Sequence, residues 1–115
     1  MDMMKTLSAL LASATLFVAA PAFADGTWAA NHPRRAQVNS RLANQNKRID
    51  NGIKDHQLTD SQARRLHKED KAIRSEERAD AAVNGGHITK GEQRQINRQE
   101  NAESRQIHRE RQAGK

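Results

Sequence analysis

The sequence lacks most of the residues that build a thick or covalently stapled core. It has no cysteine and no tyrosine, and its 115 residues include one tryptophan, two phenylalanines and two prolines. Without cysteine, an oxidising compartment contributes no disulfides. The scarcity of aromatic side chains argues against specific nucleic-acid binding, which uses aromatic stacking platforms. Nucleophile elbows, glycine-rich phosphate loops and Ser/His/Asp arrangements are also missing, so we expect no enzyme, no catalytic residue and no cofactor.

The longest hydrophobic run lies at the N-terminus. A lysine precedes an apolar stretch at 7–20, which is too short to span a bilayer comfortably. Pro21 ends this stretch, and Ala-Phe-Ala at 22–24 has the small-x-small pattern that signal peptidase cleaves. The pattern predicts a signal peptide at 1–24, cleavage near Ala24, and a periplasmic or secreted protein. No cysteine follows the cleavage site, which excludes a lipoprotein.

Large apolar side chains are few beyond the predicted signal peptide. They are Trp28, Val38, Leu42, Ile49, Ile53, Leu58, Leu66, Ile73, Val83, Ile88, Ile96 and Ile107. Burial of each contributes about 1.5–3 kcal/mol, whereas ordering the backbone costs about 1–2 kcal/mol per residue. These magnitudes exclude a thick core and a classical enzyme pocket. They favour a thin helical assembly, for which a homodimer offers further burial.

The spacing of these apolar residues is helical. Residues 25–35 predict a flexible lead-in, within which Pro33 suits the first position of a helix. Val38, Leu42 and Ile49 share one helix face with Ile53. The pattern predicts an all-α domain at 36–112, with three helices at Pro33–Lys54, Asp60–Asn84 and Lys90–Gln112.

Two capping boxes stand 30 residues apart, before the second and third predicted helices. They are Leu-Thr-Asp-Ser-Gln at 58–62 and Ile-Thr-Lys-Gly-Glu at 88–92. In each, the hydroxyl of Thr59 or Thr89 accepts from the third helical N–H, while Gln62 or Glu92 reaches back to the cap N–H. Matching positions around both boxes predict an internal helix-loop-helix repeat.

Acidic and basic residues separate onto different helix faces. The acidic ones share the apolar stripes, and they are Asp70, Glu77, Asp80, Glu92, Glu100, Glu103 and Glu110. Arg34, Arg35 and Arg41 flank the stripe of the first helix. We therefore expect the first helix to pack between the other two through an aliphatic seam and flanking salt bridges. Glu100 and Glu103 are three residues apart on one face, a spacing that could serve acid–base chemistry, but salt bridging explains this pair better.

The opposite faces of the second and third helices are basic. They carry Arg64, Lys68, Lys71, Arg78, Arg94, Arg98, Arg105 and Arg109. The formal net charge of +6 is unchanged by signal cleavage, because one lysine and one aspartate leave together. A basic exported protein meets acidic proteins, lipopolysaccharide or anionic lipid. The eight residues are the predicted partner-binding surface.

The second loop resembles a degenerate EF-hand. Gly86, Ile88, Thr89 and Glu92 stand where that loop has its glycine, central aliphatic residue, ninth position and bidentate glutamate. The first, third and fifth positions, however, are alanine, valine and glycine, whereas calcium takes about six to eight oxygen ligands. The five histidines show no convergent ligand spacing. No metal site is predicted, and calcium or another metal remains an alternative ligand.

Leu-Thr-x-x-Gln at 58–62, with its modified copy at 88–92, resembles the twice-occurring motif of the Spy/CpxP family of periplasmic helical chaperones. It is also similar to small exported bacterial helical proteins with such repeats. The family resemblance implies a dimeric cradle whose basic, partly apolar face holds unfolded clients. Here the motifs are closer together and the chain is shorter. We expect a non-enzymatic, chaperone-like or envelope-stress accessory protein that captures acidic or unfolded partners, with binding of a polyanion such as lipopolysaccharide or anionic lipid as the alternative.

Overall fold

The computed structural model describes residues 21–115, with side chains from residue 26 onward. Most of the predicted signal peptide at 1–24 lies outside the described residues. Within them the chain is all-helical, and its helices are α1 (Pro21–Asn31), α2 (Pro33–Lys54), α3 (Asp60–Val83) and α4 (Lys90–Ala113). No helix in this range is both long enough and apolar enough to cross a membrane. The three predicted helices are present, with α3 ending one residue earlier and α4 one residue later than expected.

The additional helix, α1, corrects the prediction of three helices, and it includes part of the segment 25–35 that was predicted as a flexible lead-in. Proline at its first position and its several alanines favour helix. The rings of Trp28 and His32 stack with their centroids 4.6 Å apart, one helical turn from each other. A backbone bond from the His32 N–H to the Trp28 carbonyl, at 2.8 Å, extends this local order. A single pair of stacked rings does not produce apolar residues at helical spacing, so the sequence pattern did not predict this helix.

Helices α2, α3 and α4 form a three-helix bundle, a compact unit of Pro33–Lys115 in which each helix packs against the other two. Asp50 pairs with His67 and Arg35 with Glu77, so α3 runs antiparallel to α2. Hydrogen bonds from α2 to α4 advance in the same direction along both helices, which makes these two parallel. The two interhelical loops therefore lie at opposite ends of the bundle.

Both predicted capping boxes are present. Thr59 Oγ1 accepts from the Gln62 N–H at 3.0 Å, and the Thr59 N–H donates to Gln62 Oε1 at 2.8 Å. Thr89 and Glu92 repeat this geometry at the same two distances. The loops before the boxes turn through residues in the left-handed region, with φ of 59° at His56 in the first loop. At the starts of α3 and α4, backbone N–H groups are thus hydrogen-bonded by side chains of the capping boxes.

The bundle core consists of two apolar clusters. Val38, Leu42, Ile73, Ala81, Ile88 and Ile96 form the first, and Ile49, Leu58, Ala63, Leu66 and Ile107 form the second. The predicted stripe on α2 is wrong at its end, where Gly52 is buried and Ile53 is 36% exposed. Buried positions on α2 alternate in steps of four and three residues, the spacing of a coiled-coil seam, so the seam reaches Gly52. A Cβ there would come within 2.6 Å of Leu58 Cδ1.

Candidate functional site

The eight basic residues predicted from the sequence all lie on the solvent side of α3 and α4. All eight are exposed: Arg64, Lys68, Lys71 and Arg78 on α3, and Arg94, Arg98, Arg105 and Arg109 on α4. Arg98 donates to Gln95 of its own helix at 3.2 Å. The other seven make no ion pair or side-chain hydrogen bond within the described part of the chain. We call these two sets the outer basic ridges.

Arginines that face the seams between helices are paired instead. Arg35 of α2 donates through Nε and Nη2 to the two carboxylate oxygens of Glu77 on α3. Arg41 Nη1 lies 3.6 Å from Glu100 Oε1 on α4. These two contacts bear out the expectation that α2 packs between acidic positions of both neighbours. The inner arginines are thereby partly neutralised, whereas the charges of the outer basic ridges face solvent.

Each ridge is a narrow strip of positive charge along one helix. From Arg64 to Arg78 it extends about 21 Å, at about 1.5 Å per residue. Because each helix of the bundle contacts the other two, the outer faces of α3 and α4 point in different directions. A flat partner therefore contacts one ridge of a given molecule at a time, and only a partner that wraps around the bundle contacts both.

A second chemical feature lies inside the bundle, between the two apolar clusters. Along α3, Asp70 falls between residues of the first and second cluster, and along α4 Glu100 and Glu103 do the same. These three side chains are 2%, 0% and 3% exposed. Gln45 of α2 lies at the same level, and its Nε2 donates to the Glu100 backbone carbonyl at 2.8 Å. We call these four residues the buried carboxyl layer.

The oxygens of the buried carboxyl layer receive almost no hydrogen bonding. None of the six carboxyl oxygens, nor Gln45 Oε1, has an N–H or O–H donor among the described residues. The carboxyl groups of Asp70 and Glu103 face each other, and this contact is a hydrogen bond only when one of the two carries a proton. Buried polar groups normally have partners, so this layer is an exception that calls for a physical account.

Burial raises the pKa of each acid in the layer. Loss of solvation raises the pKa of Glu103 to about 9, and the adjacent Asp70 carboxyl adds to the effect. Loss of solvation likewise raises the pKa of Glu100 to about 7, although the Arg41 guanidinium acts in the opposite direction. The pKa of Asp70 is raised, again chiefly by burial. The layer therefore retains protons at neutral pH.

The sequence pattern placed these acids on the apolar stripes but predicted salt bridges for all of them. The predicted salt bridges exist for Glu77 and Glu100, whereas Asp70 and Glu103 form no ion pair with an arginine in the described structure. Asp80, Glu92 and Glu110 are partly exposed at the edges of the seams. The available signal was the spacing in steps of three and four, which assigns 70, 100 and 103 to the same seam as the buried isoleucines.

Metal coordination finds no support in the described geometry. Among residues 26–115, no group of three or more His, Asp or Glu side chains is arranged to hold a metal ion. His56 and His87 belong to the two interhelical loops, at opposite ends of the bundle, so they do not meet.

No protein-family model, curated protein or solved structure matches the chain. The unit of residues 33–115 belongs to a class defined by fold and surface, the small basic three-helix bundle with acidic side chains inside. Two features of that bundle can carry chemistry, the outer basic ridges and the buried carboxyl layer.

Proposed function

We propose that this is a non-enzymatic periplasmic or secreted binding protein, chaperone-like or an accessory factor in envelope stress, that captures acidic or unfolded protein partners. The observation that carries the proposal is the outer basic ridges, eight exposed cations of which seven have no partner within the described chain. A cation without an internal partner meets an external carboxylate without first breaking an ion pair. The ridges are thus ready to bind.

Capture by such a surface is weak, multivalent and sensitive to salt. Exposed ion pairs contribute about 0–1 kcal/mol each, so four cations on one ridge supply at most a few kcal/mol. Apolar contacts add little, because the large apolar side chains exposed in the described range are Ile53 and Val83. Attraction at the ridges is screened beyond about 8 Å at physiological ionic strength. These properties suit transient holding of many acidic partners better than tight binding of one.

Export, repeat and dimer are parts of the same proposal. The signal-peptide pattern at 1–24 supports export. Two equivalent capping boxes, each preceded by a left-handed turn residue, support a degenerate helix-loop-helix repeat. A homodimer would set ridges from two copies side by side. The two copies would then form a concave basic surface, which a single copy lacks.

The experiment expresses the full chain, verifies cleavage after Ala24 by intact mass, and measures suppression of client aggregation by light scattering at low and high salt. A ridge variant changes Arg94, Arg98, Arg105 and Arg109 to Gln. A matched control changes four exposed lysines outside the ridges, Lys47, Lys54, Lys90 and Lys115, to Gln. Both variants lose the same charge.

We expect near-stoichiometric suppression that salt abolishes, that the ridge variant loses and that the lysine control keeps. An equal loss of suppression in the two variants would show that net charge alone acts. If the wild-type protein suppresses aggregation at neither salt concentration, the chaperone-like function is refuted. Binding to anionic vesicles or lipopolysaccharide without suppression would favour the polyanion alternative, whose affinity should also fall steeply with salt.

A further inference from the structure

The buried carboxyl layer is not used by the proposed capture surface. We propose that it is a proton-operated switch in the bundle, which packs tightly while Asp70, Glu100 and Glu103 hold protons and loosens as these protons leave with rising pH. The inference is independent of the partner-binding proposal, because it concerns the interior of the bundle and not its outer face.

The geometry of the layer favours protonated acids. Three carboxyl groups share one cross-section, nine-tenths or more buried, and no N–H or O–H group of the described residues donates to any of their oxygens. As carboxylates they would be buried charges of one sign, which is strongly unfavourable. As neutral acids, Asp70 and Glu103 can share a hydrogen bond, and Gln45 Oε1 is a further unpaired acceptor at that level. Protons thus supply the donors that the layer otherwise lacks.

Charged groups approach the layer from the helices packed around it. The basic side chains are Arg41 of α2, which attracts Glu100, and His67 and Arg74 of α3, which attract Asp70. Glu69 and Glu77 of α3 repel the glutamates of α4. None of these three basic side chains donates a hydrogen bond to a carboxyl oxygen of the layer. Arg41 is also shared with Asn97 and Asn101, at 3.4 and 2.6 Å, so it offsets only part of the charge.

The direction of the switch follows from proton linkage. The folded chain holds protons at the layer above the ordinary pKa values of 3.8 for Asp and 4.5 for Glu, whereas the unfolded chain releases them there. The folded state therefore binds more protons than the unfolded state from about pH 4.5 to about pH 9. Stability declines across this interval as pH rises, the reverse of the behaviour of a paired carboxylate.

Loosening should begin in the middle of α4. Two of the three carboxyls lie there, at Glu100 and Glu103, and they separate the apolar contacts of Ile96 from those of Ile107. Deprotonation of this stretch weakens the packing of α4 against both neighbours, while the capping box at its start stays intact. We expect the switch to raise local opening of α4 before the whole bundle unfolds.

Urea unfolding of the purified protein at pH 5, 7 and 9, followed by circular dichroism, tests the proposal. A Glu103→Gln variant keeps the shape of the side chain and removes its titration. Asp60→Asn, at an exposed position outside the layer, is the matched control. We expect the wild-type midpoint to fall from pH 5 to pH 9 and the Glu103→Gln midpoint to fall much less. At pH 9 the unfolding equilibrium constant of the Glu103→Gln variant should be lower than that of the wild type by about tenfold or more.

Carbon-13 titration of the side-chain carboxyls in the wild-type protein gives a second readout that needs no variant. At least two resonances from the layer should titrate above pH 6, and amide exchange near the middle of α4 should accelerate, beyond its intrinsic pH dependence, over the same range. A wild-type midpoint that stays level or rises towards pH 9 would overturn the switch. So would carboxyls that all titrate below pH 5, or a Glu103→Gln variant whose midpoint falls with pH as steeply as that of the wild type and of Asp60→Asn.

Discussion

Replacing Arg35 with methionine should destabilise the bundle severely at neutral pH. Glu77 is 1% exposed, and Arg35 holds both of its oxygens, with Nη2 3.3 Å from Oε1. Removing one partner of a buried pair costs about 3–5 kcal/mol. The whole stability expected for a bundle of this size is about 5–10 kcal/mol.

The assay is urea unfolding of a double-mutant cycle at pH 7. The cycle contains Arg35→Met, Glu77→Leu and the double variant, which should regain most of the loss because no buried charge is left alone. The control is Arg65→Met, whose partner Glu110 forms a more exposed pair at 3.2 Å, with an expected effect of about 0–1 kcal/mol. If Arg35→Met costs no more than Arg65→Met, the burial of Glu77 does not decide how much this pair stabilises the bundle.

Four further substitutions probe the caps, the seam and the layer. Thr59→Ala and Thr89→Ala should each cost about 1 kcal/mol in thermal unfolding, with serine at either position restoring most of it; no loss would mean the boxes do not hold the helix starts. Gly52→Ala should cost about 1–3 kcal/mol, because its Cβ would overlap the Leu58 side chain, and a neutral result would refute close packing there. Glu100→Gln should flatten the decline in stability between pH 6 and 8, since the pKa of that carboxyl is about 7. An unchanged slope would show that Glu100 does not contribute to the pH dependence of stability.

Local chemistry explains why the helices of the bundle could be predicted. A capping box involves residues three apart in the chain, so its hydrogen bonds at Thr59 and Thr89 follow from the sequence itself. The apolar period locates α2 to within the bounds observed for Pro33–Lys54. Helix α1 was missed because a stack between two rings one turn apart contributes no periodic stripe.

Long-range packing explains why the carboxyl layer could not be predicted. Asp70 and Glu103 stand on apolar stripes beside arginines of another helix, and from the sequence an arginine partner was the reasonable expectation. Whether a side chain reaches a partner depends on the axial register of three helices, which no single helix encodes. Glu100 comes within ion-pair distance of Arg41, while Glu103, one turn further along, does not.

The sequence by itself determined the helical class, the helix starts and the separation of basic from acidic faces, because these depend on residues within a few positions of one another. It also placed the eight cations that the structure finds on the outer basic ridges. Tertiary structure alone decided that α2 and α4 run parallel, that Gly52 and not Ile53 closes the seam, and that three carboxyls share a buried cross-section. Such features arise only when separate helices meet, since burial and like-charge proximity are properties of the assembled bundle.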